Sequence, residues 1–198
     1  MIDPATIVPL HERLATLSTK DPIHRYLLSQ VYQTAHPLSD DPRTKNGAMV
    51  FVPHLRGWVP LSKGSNRLHL QPAKADLYPQ GCTEALKGFY LEHAERNAIF
   101  EALNVATVST LRETAILVCP WFACADCARA IAAVGPRVVI GHRQVFEHYD
   151  RVMNGKWRDQ IEHGHHILSM AGVRMYFYDG DIVDDTTGFR PAPITVAG

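Results

Sequence analysis

The chain has 198 residues, enough for one well-packed domain and short for two. Hydrophobic residues make up 46% and charged residues 20%, the balance of an ordinary globular protein, and 20 Lys plus Arg against 20 Asp plus Glu leave no net charge. That neutrality removes the broad basic footprint of a nucleic-acid binder, and no stretch approaches the roughly 20 apolar residues that span a bilayer.

Residues 1–17 show no basic start followed by an apolar run, so no signal peptide is expected. Helices are expected at residues 7–17 and 21–35. Asp21-Pro22 opens the second as an N-cap and first-turn proline, and Ile23, Leu27, Leu28 and Val31 share one face. His36-Pro37 ends it, before a polar turn over 39–44. Residues 47–53 and 57–61 read as two strands around a short turn. Residues 63–87, rich in Gly, Pro, Asn and Gln, read as a loop long enough to be functional or disordered. Residues 90–103 are helical in pattern, with Ile99, Ala102 and Leu103 on one side. A short apolar strand at 114–119 stops at Pro120. A helix follows at 124–134, with a buried stripe of Ala128, Ile131, Ala132 and Gly135. Residues 137–141 form another strand, 145–161 are polar and ambiguous, 163–171 read as a helix and 173–178 as a last strand. Beyond Asp179, Pro191 and Pro193 mark a surface tail. Strands alternating with helices predict a layered α/β fold in a single domain, its core at about 21–178, with an N-terminal extension over 1–20 and a tail over 179–198.

His93-Ala94-Glu95 and the downstream Cys124-Ala125-Asp126-Cys127 carry the chemistry. One imidazole and two thiols suit zinc, which takes nitrogen and sulfur donors in a tetrahedron and keeps a fourth place open when it is catalytic. Cys124 and Cys127, three apart at a helix start, lie on one face, and the helix N-terminus favours the thiolates a metal needs. C-x-x-C in a chain without a secretory leader also favours metal or redox chemistry over disulfides, and a cytoplasmic location. His93 and Glu95 diverge inside a regular helix, yet they serve one centre from a first turn, with the metal beyond the helix end. Two helix starts facing each other across a strand edge are therefore expected, the small Ala94, Ala98, Ala128 and Ala132 letting them approach. Two thiolates and a neutral imidazole cancel the charge of zinc, so the metal acidifies water less than an all-histidine site and a neighbouring base gains weight. Glu95 supplies one. The competing readings are a redox pair, which has no use for His-x-Glu, and a closed structural site with Cys119, Cys82 or another histidine as fourth ligand. Cys119 at the end of an apolar strand reads first as a small buried hydrophobe, and His69, His163, His165 and His166 as surface or loop residues.

Together with Pro120-Trp121-Phe122-Ala123, these residues resemble the cytidine deaminase superfamily and its H-x-E…P-C-x-x-C signature. Within it the chain looks like a deoxycytidylate (dCMP) deaminase over about residues 41–178. The matching stretches are Asp41-Pro42-Arg43-Thr44-Lys45-Asn46-Gly47-Ala48, Gly64-Ser65-Asn66, the motif run from His93 to Ile99, the run from Cys124 to Ile131, and Met170-Ala171-Gly172-Val173. Ala123 replaces the usual proline before the first cysteine, a Tyr-Asn-Gly-x-Pro loop is reduced to Ser65-Asn66-Arg67, and Asn46 stands where a valine is usual. These departures bear on the substrate rather than on zinc or Glu95.

The resemblance implies a three-layer α/β/α cytidine-deaminase-like fold with a central mixed sheet of about five strands, a Zn2+ cofactor and oligomers of identical subunits. It implies conversion of dCMP to dUMP with release of ammonia: zinc-activated water attacks C4 of the cytosine while Glu95 shuttles the protons. His93, Cys124 and Cys127 are then the metal ligands, Ala94 and Asn66 hold base and sugar, and Trp121 and Phe122 wall the pocket. Tyr149 is a candidate cap from the late loop. A monophosphate needs a cation, and Arg43 and Arg67, in loops beside matched motifs, are the candidates. The expected partner is a small nucleotide, with no membrane and no nucleic acid. The alternatives are another substrate (a modified dCMP, cytidine, guanine or tRNA adenosine) and a catalytically silent, zinc-stapled regulatory domain, against which the retained Glu95 argues.

Overall fold

The computed structural model describes residues 10–41, 45–69, 90–152 and 154–182. Helix α1 (Leu10–Leu17) leads into a two-residue strand β1 (Ser18–Thr19), and α2 (Pro22–Thr34) follows. Its start is built as the sequence predicts: the Asp21 carboxylate accepts from the Ile23 N–H at 2.8 Å, beside Pro22. After a single 3-10 turn come β2 (Gly47–His54) and β3 (Gly57–Ser65), an antiparallel pair with a register shift at Val50/Phe51. β4 (Arg67–Leu68) pairs with β5 (Leu91–Glu92) beside the main sheet. Then follow α3 (Ala94–Leu103), α4 (Val108–Thr114), β6 (Ile116–Val118), α5 (Ala125–Val134), β7 (Val138–His142), α6 (Arg143–Val152), α7 (Arg158–Met170) and β8 (Arg174–Tyr178).

The main sheet has the order β1-β8-β7-β6-β2-β3. The first four strands run parallel, and β2 is antiparallel to both β6 and β3. Its central strands are apolar on both faces, the mark of a sheet covered on both sides. Met49, Phe51, Val118 and Ile140 pack with Leu27, Leu28, Val31 and Tyr32 of α2. Their neighbours Ala48, Val50, Leu117 and Val139 point the other way, into a core shared with α3, α5 and α7. This is the three-layer arrangement with helices on each side of a mixed sheet. Among the described residues no helix is long and apolar enough to cross a membrane.

Several elements differ from the sequence expectation, each for a local reason. The sheet has six strands rather than about five, because Ser18–Thr19 pairs in parallel with β8, and two residues are too few to show alternation. β3 continues to Ser65, so Lys63 and Gly64 belong to a strand rather than to a loop. The helix expected over 90–103 begins at Ala94, because Leu91–Glu92 is spent on pairing with β4. α4 escaped notice: it is seven residues long, buries Leu111, and starts where the Thr107 hydroxyl accepts from the Thr110 N–H. The ambiguous segment 145–161 is the end of α6 and the start of α7, divided by Asn154 and Gly155 in the left-handed region. The tail does not leave at Asp179: Ile182 is buried with α2, and the His142 Nε2–H donates to the Gly180 carbonyl at 2.9 Å. That fixes the tautomer, so the Tyr32 hydroxyl donates to His142 Nδ1 at 2.8 Å. Cys82, most of the long loop and the later tail lie outside the described residues.

Candidate active site

His93 is the residue just before α3, and Cys124 the residue just before α5. Both have extended backbones, and neither side chain caps its own helix, so imidazole and thiol turn away from their helices toward each other. Nδ1 of His93 lies 3.5 Å from Sγ of Cys124 and 3.5 Å from Sγ of Cys127, and the three donor atoms all fall within 4.8 Å of one another. Tetrahedral bonds of normal zinc length place nitrogen and sulfur about 3.5 Å apart, so the donor set fits such an ion without rearrangement. Among the described residues the cluster holds these three, and Cys119 is not in it.

Two glycines let the helix starts come together. A Cβ on Gly64 of β3 would fall 2.3 Å from the Ala94 carbonyl oxygen and 2.3 Å from the Ala98 nitrogen, so β3 lies directly against the first turns of α3. A Cβ on Gly164 of α7 would fall 2.2 Å from the Ala123 carbonyl oxygen, so α7 lies against the loop that carries Cys124. Ala94, Ala98 and Ala128 are fully buried in the shared core, as their size suggested, whereas Ala132 is half-buried.

The titrating groups divide a small number of protons. A hydrogen bond from Cys127, working against burial and aided by His93, draws the Cys124 thiol down to about 4. The same bond and burial push Cys127 well above the usual thiol range. Burial disfavours the His93 cation, but the Cys124 thiolate and the Glu95 carboxylate outweigh it and raise the imidazole. Glu95, in the first turn of α3, is 3% exposed, and burial pushes its carboxyl up to about 7 against the pull of His93. Among the described residues its Oε2 has no hydrogen-bond partner. A carboxylate of this kind is set to exchange protons with something that enters from outside.

Around this centre the Ala94 N–H donates to Asn66 Oδ1 at 3.0 Å, and the Asn66 N–H donates to the Asn46 carbonyl at 3.2 Å. Both expected base- and sugar-binding residues are therefore at the site. Trp121 is half-buried, with its carbonyl oxygen 2.6 Å from Cys119 Sγ. Phe122 is buried in the core, stacked on Phe177 with ring centroids 4.8 Å apart. Arg67 is exposed, with its guanidinium 3.9 Å from Asp40. Arg43 and the side chain of Tyr149 lie outside the described residues.

Sequence reasoning passed over Asn97 and misplaced His165. The Asn97 amide donates to the Ser65 carbonyl at 2.8 Å and its oxygen accepts from His69 Nε2 at 2.7 Å, which ties α3 to β3 and β4. The signal was available: asparagine inside a helix usually has a reason to be there. His165, expected at the surface, is 1% exposed, because the face of α7 carrying Gly164 and Leu168 is pressed into the core.

Comparison with known proteins agrees with this geometry. The family model described as the cytidine and deoxycytidylate deaminase zinc-binding region matches residues 23–142. The dCMP deaminase of cyanophage S-TIM5 in its apo form is 19% identical over 81% of this chain and 99% of its own, with a TM-score of 0.51. The same phage enzyme in complex with dCMP and dUMP is 20% identical over 89% and 99%, with a TM-score of 0.44. NE0047 in complex with 2,6-diaminopurine is 17% identical over 88% and 86%, with a TM-score of 0.48. At 19% identity the likeness to the apo phage enzyme speaks for the fold alone. A comparison with curated proteins gives no match. The matched stretch runs from α2 to β7 and takes in His93, Glu95, Cys124 and Cys127, and the chain belongs to the cytidine and deoxycytidylate deaminase family.

Proposed function

We propose that this protein is a zinc-dependent hydrolytic deaminase of a cytosine nucleotide, converting dCMP to dUMP with release of ammonia. The observation that carries the reading is Glu95: a buried carboxylate with an unpartnered oxygen, in the same helical turn as His93 and beside both thiols. A site that served only as a staple would gain nothing from it and would bear its desolvation.

His93, Cys124 and Cys127 would hold the metal, whose contribution when bound is Lewis-acid activation of water. Glu95 accepts the proton that water loses as its oxygen bonds to C4. It passes that proton to ring N3, then takes the proton of the new C4 hydroxyl and delivers it to the exocyclic nitrogen, so that the C4–N bond breaks, ammonia leaves and the C4 carbonyl forms. A carboxyl held near 7 suits both directions of transfer. The Asn66 carboxamide, whose Oδ1 accepts from the Ala94 N–H at 3.0 Å, and the Ala94 backbone beside it are the proposed contacts to base and sugar, the substrate taking over the Ala94 N–H as it displaces Oδ1. Arg67, whose exposed pair with Asp40 is weak, and Arg43 are the cations proposed for the phosphate, with Trp121 and Tyr149 over the ring. Assembly into identical subunits and a cytoplasmic location complete the proposal.

The test is ammonia release by zinc-loaded protein from dCMP, CMP, dCTP, 5-substituted dCMP, deoxycytidine, guanine and adenosine. Selective turnover of dCMP or a 5-substituted dCMP supports the reading. Turnover confined to a free base or nucleoside keeps the chemistry and overturns the substrate. Silence with zinc bound makes the protein a regulatory domain.

A further inference from the structure

Asn97 joins the two stretches of chain that carry the candidate site. It lies one turn into α3, is 5% exposed, and uses both polar atoms of its carboxamide. Its Nδ2–H group donates to the Ser65 carbonyl at 2.8 Å and to the Glu92 carbonyl at 3.4 Å. Ser65 immediately precedes Asn66, and Glu92 immediately precedes His93. One side chain thus spans from the residue before the proposed base and sugar contact to the residue before the proposed metal ligand. With its nitrogen turned to two carbonyls, the amide presents Oδ1 to His69, an exposed residue just after β4 whose Nε2–H donates at 2.7 Å. The opposite amide orientation would set oxygen against two carbonyl oxygens. The backbone of Asn66 is otherwise held by chain that precedes β2: its N–H donates to the Asn46 carbonyl at 3.2 Å, and its carbonyl accepts from the Asp40 N–H at 2.8 Å. Ser62 ties β3 to α3 three residues back along the strand, through the Ala98 carbonyl at 2.6 Å. The Asn97 bond is the tie at the end of β3 itself, and it refers Asn66 to the helix on which Glu95 stands. The Ala94 N–H reports the result: a first-turn amide has no partner within its helix, and this one donates to Asn66 Oδ1 at 3.0 Å.

We propose that Asn97 is a positioning residue: its carboxamide, braced by His69, sets where Asn66 stands relative to His93 and thereby how tightly base and sugar are held. The kinetic consequence rests on the deaminase reading; the placement of Asn66 does not. Amide hydrogen exchange of the zinc-loaded, substrate-free protein reads that placement at Ala94. Asn97→Ala speeds exchange there about tenfold, toward the rate in Asn66→Ala, and His69→Ala, a change at an exposed residue, speeds it about threefold. An unchanged Ala94 rate in Asn97→Ala overturns the proposal; where that variant does not fold, an unchanged rate in His69→Ala does so. In turnover, Asn97→Ala raises KM for dCMP about tenfold with kcat within about threefold and zinc content unchanged. In an Asn66→Ala background it has no further effect on kcat/KM, because its action passes through the side chain already removed. Additive losses in that background overturn the positioning role and leave Asn97 a support of the fold. A wild-type protein silent on every substrate, with Ala94 exchange still raised by Asn97→Ala, refutes the deaminase reading while supporting the placement.

Discussion

Glu95 and His165 are both titratable and almost fully buried, yet they answer to different demands. Glu95 has the candidate metal set beside it and, among the described residues, an oxygen without a hydrogen-bond partner, the setting on which the proposed proton transfer rests. Glu95→Gln is expected to keep one zinc per chain, measured by metal analysis, and to lower kcat by about a thousandfold, the range in which a general acid–base contributes. His165 faces apolar neighbours such as Phe122, and burial, reinforced by Arg13 and His166, holds its imidazole down to about 4. The folded protein therefore prefers the neutral ring, while the unfolded chain binds a proton near 6.5. This contribution to stability is complete above about pH 6.5 and is lost as pH falls from there toward about 4. Between pH 7 and pH 5 the wild type should lose about 2 kcal/mol more than His165→Leu, read from urea unfolding at the two pH values. Glu95 could be named from its spacing to His93. His165 could not, because a histidine in a polar helix gives no sign of which way its face is turned.

At the scale of elements, the site is two helix starts held in place by what crosses them. His93 and Cys124 sit at the first residue outside their helices, where the backbone is extended and the side chain can turn toward a partner element. β3 crosses α3 at Gly64, and α7 crosses the Cys124 loop at Gly164. Glycine to alanine inside a helix normally stabilises by about 1 kcal/mol. At Gly164 the sign reverses, because the added methyl meets backbone at 2.2 Å, and neither a carbonyl nor a helix axis yields as a side-chain end does. Gly164→Ala and Gly64→Ala are each expected to destabilise by about 1–3 kcal/mol or more in urea unfolding. Both should also weaken zinc binding in chelator competition, because each shifts one half of the ligand set relative to the other. Helices α3 and α5 were legible from their alternation of small and apolar residues. α4 was not: it is seven residues long and buries Leu111, too few positions to define a face.

For the whole molecule, a metal held by His93, Cys124 and Cys127, which lie 31 and 34 positions apart in sequence, would join two of the helices that cover one face of the sheet. A ligand that binds only the folded state raises stability by mass action, about 4 kcal/mol at a thousand times its dissociation constant. Removing zinc with a chelator should therefore lower the melting temperature by at least several degrees. Cys124→Ser should melt near the stripped wild type and respond little to added zinc, as followed by thermal unfolding with and without metal. On the opposite face, the Tyr32–His142–Gly180 chain of hydrogen bonds and buried Ile182 hold the first residues beyond β8 against α2.

The amino-acid sequence by itself determined the layered α/β class, the types and spacing of the candidate metal-holding residues, and the carboxylate beside them, since each of these is set by local periodicity or by residues close in the chain. Only the tertiary structure decided that His93 Nδ1 stands 3.5 Å from both sulfurs, that Phe122 stacks on Phe177, and that the Asn46 amide reaches Cys119 Sγ. It also decided the sixth strand at Ser18–Thr19. All of these are contacts between segments distant in sequence. Their geometry depends on how closely layers approach, which here turns on single methyl groups absent from Gly64 and Gly164, and no pattern along one chain segment carries that information.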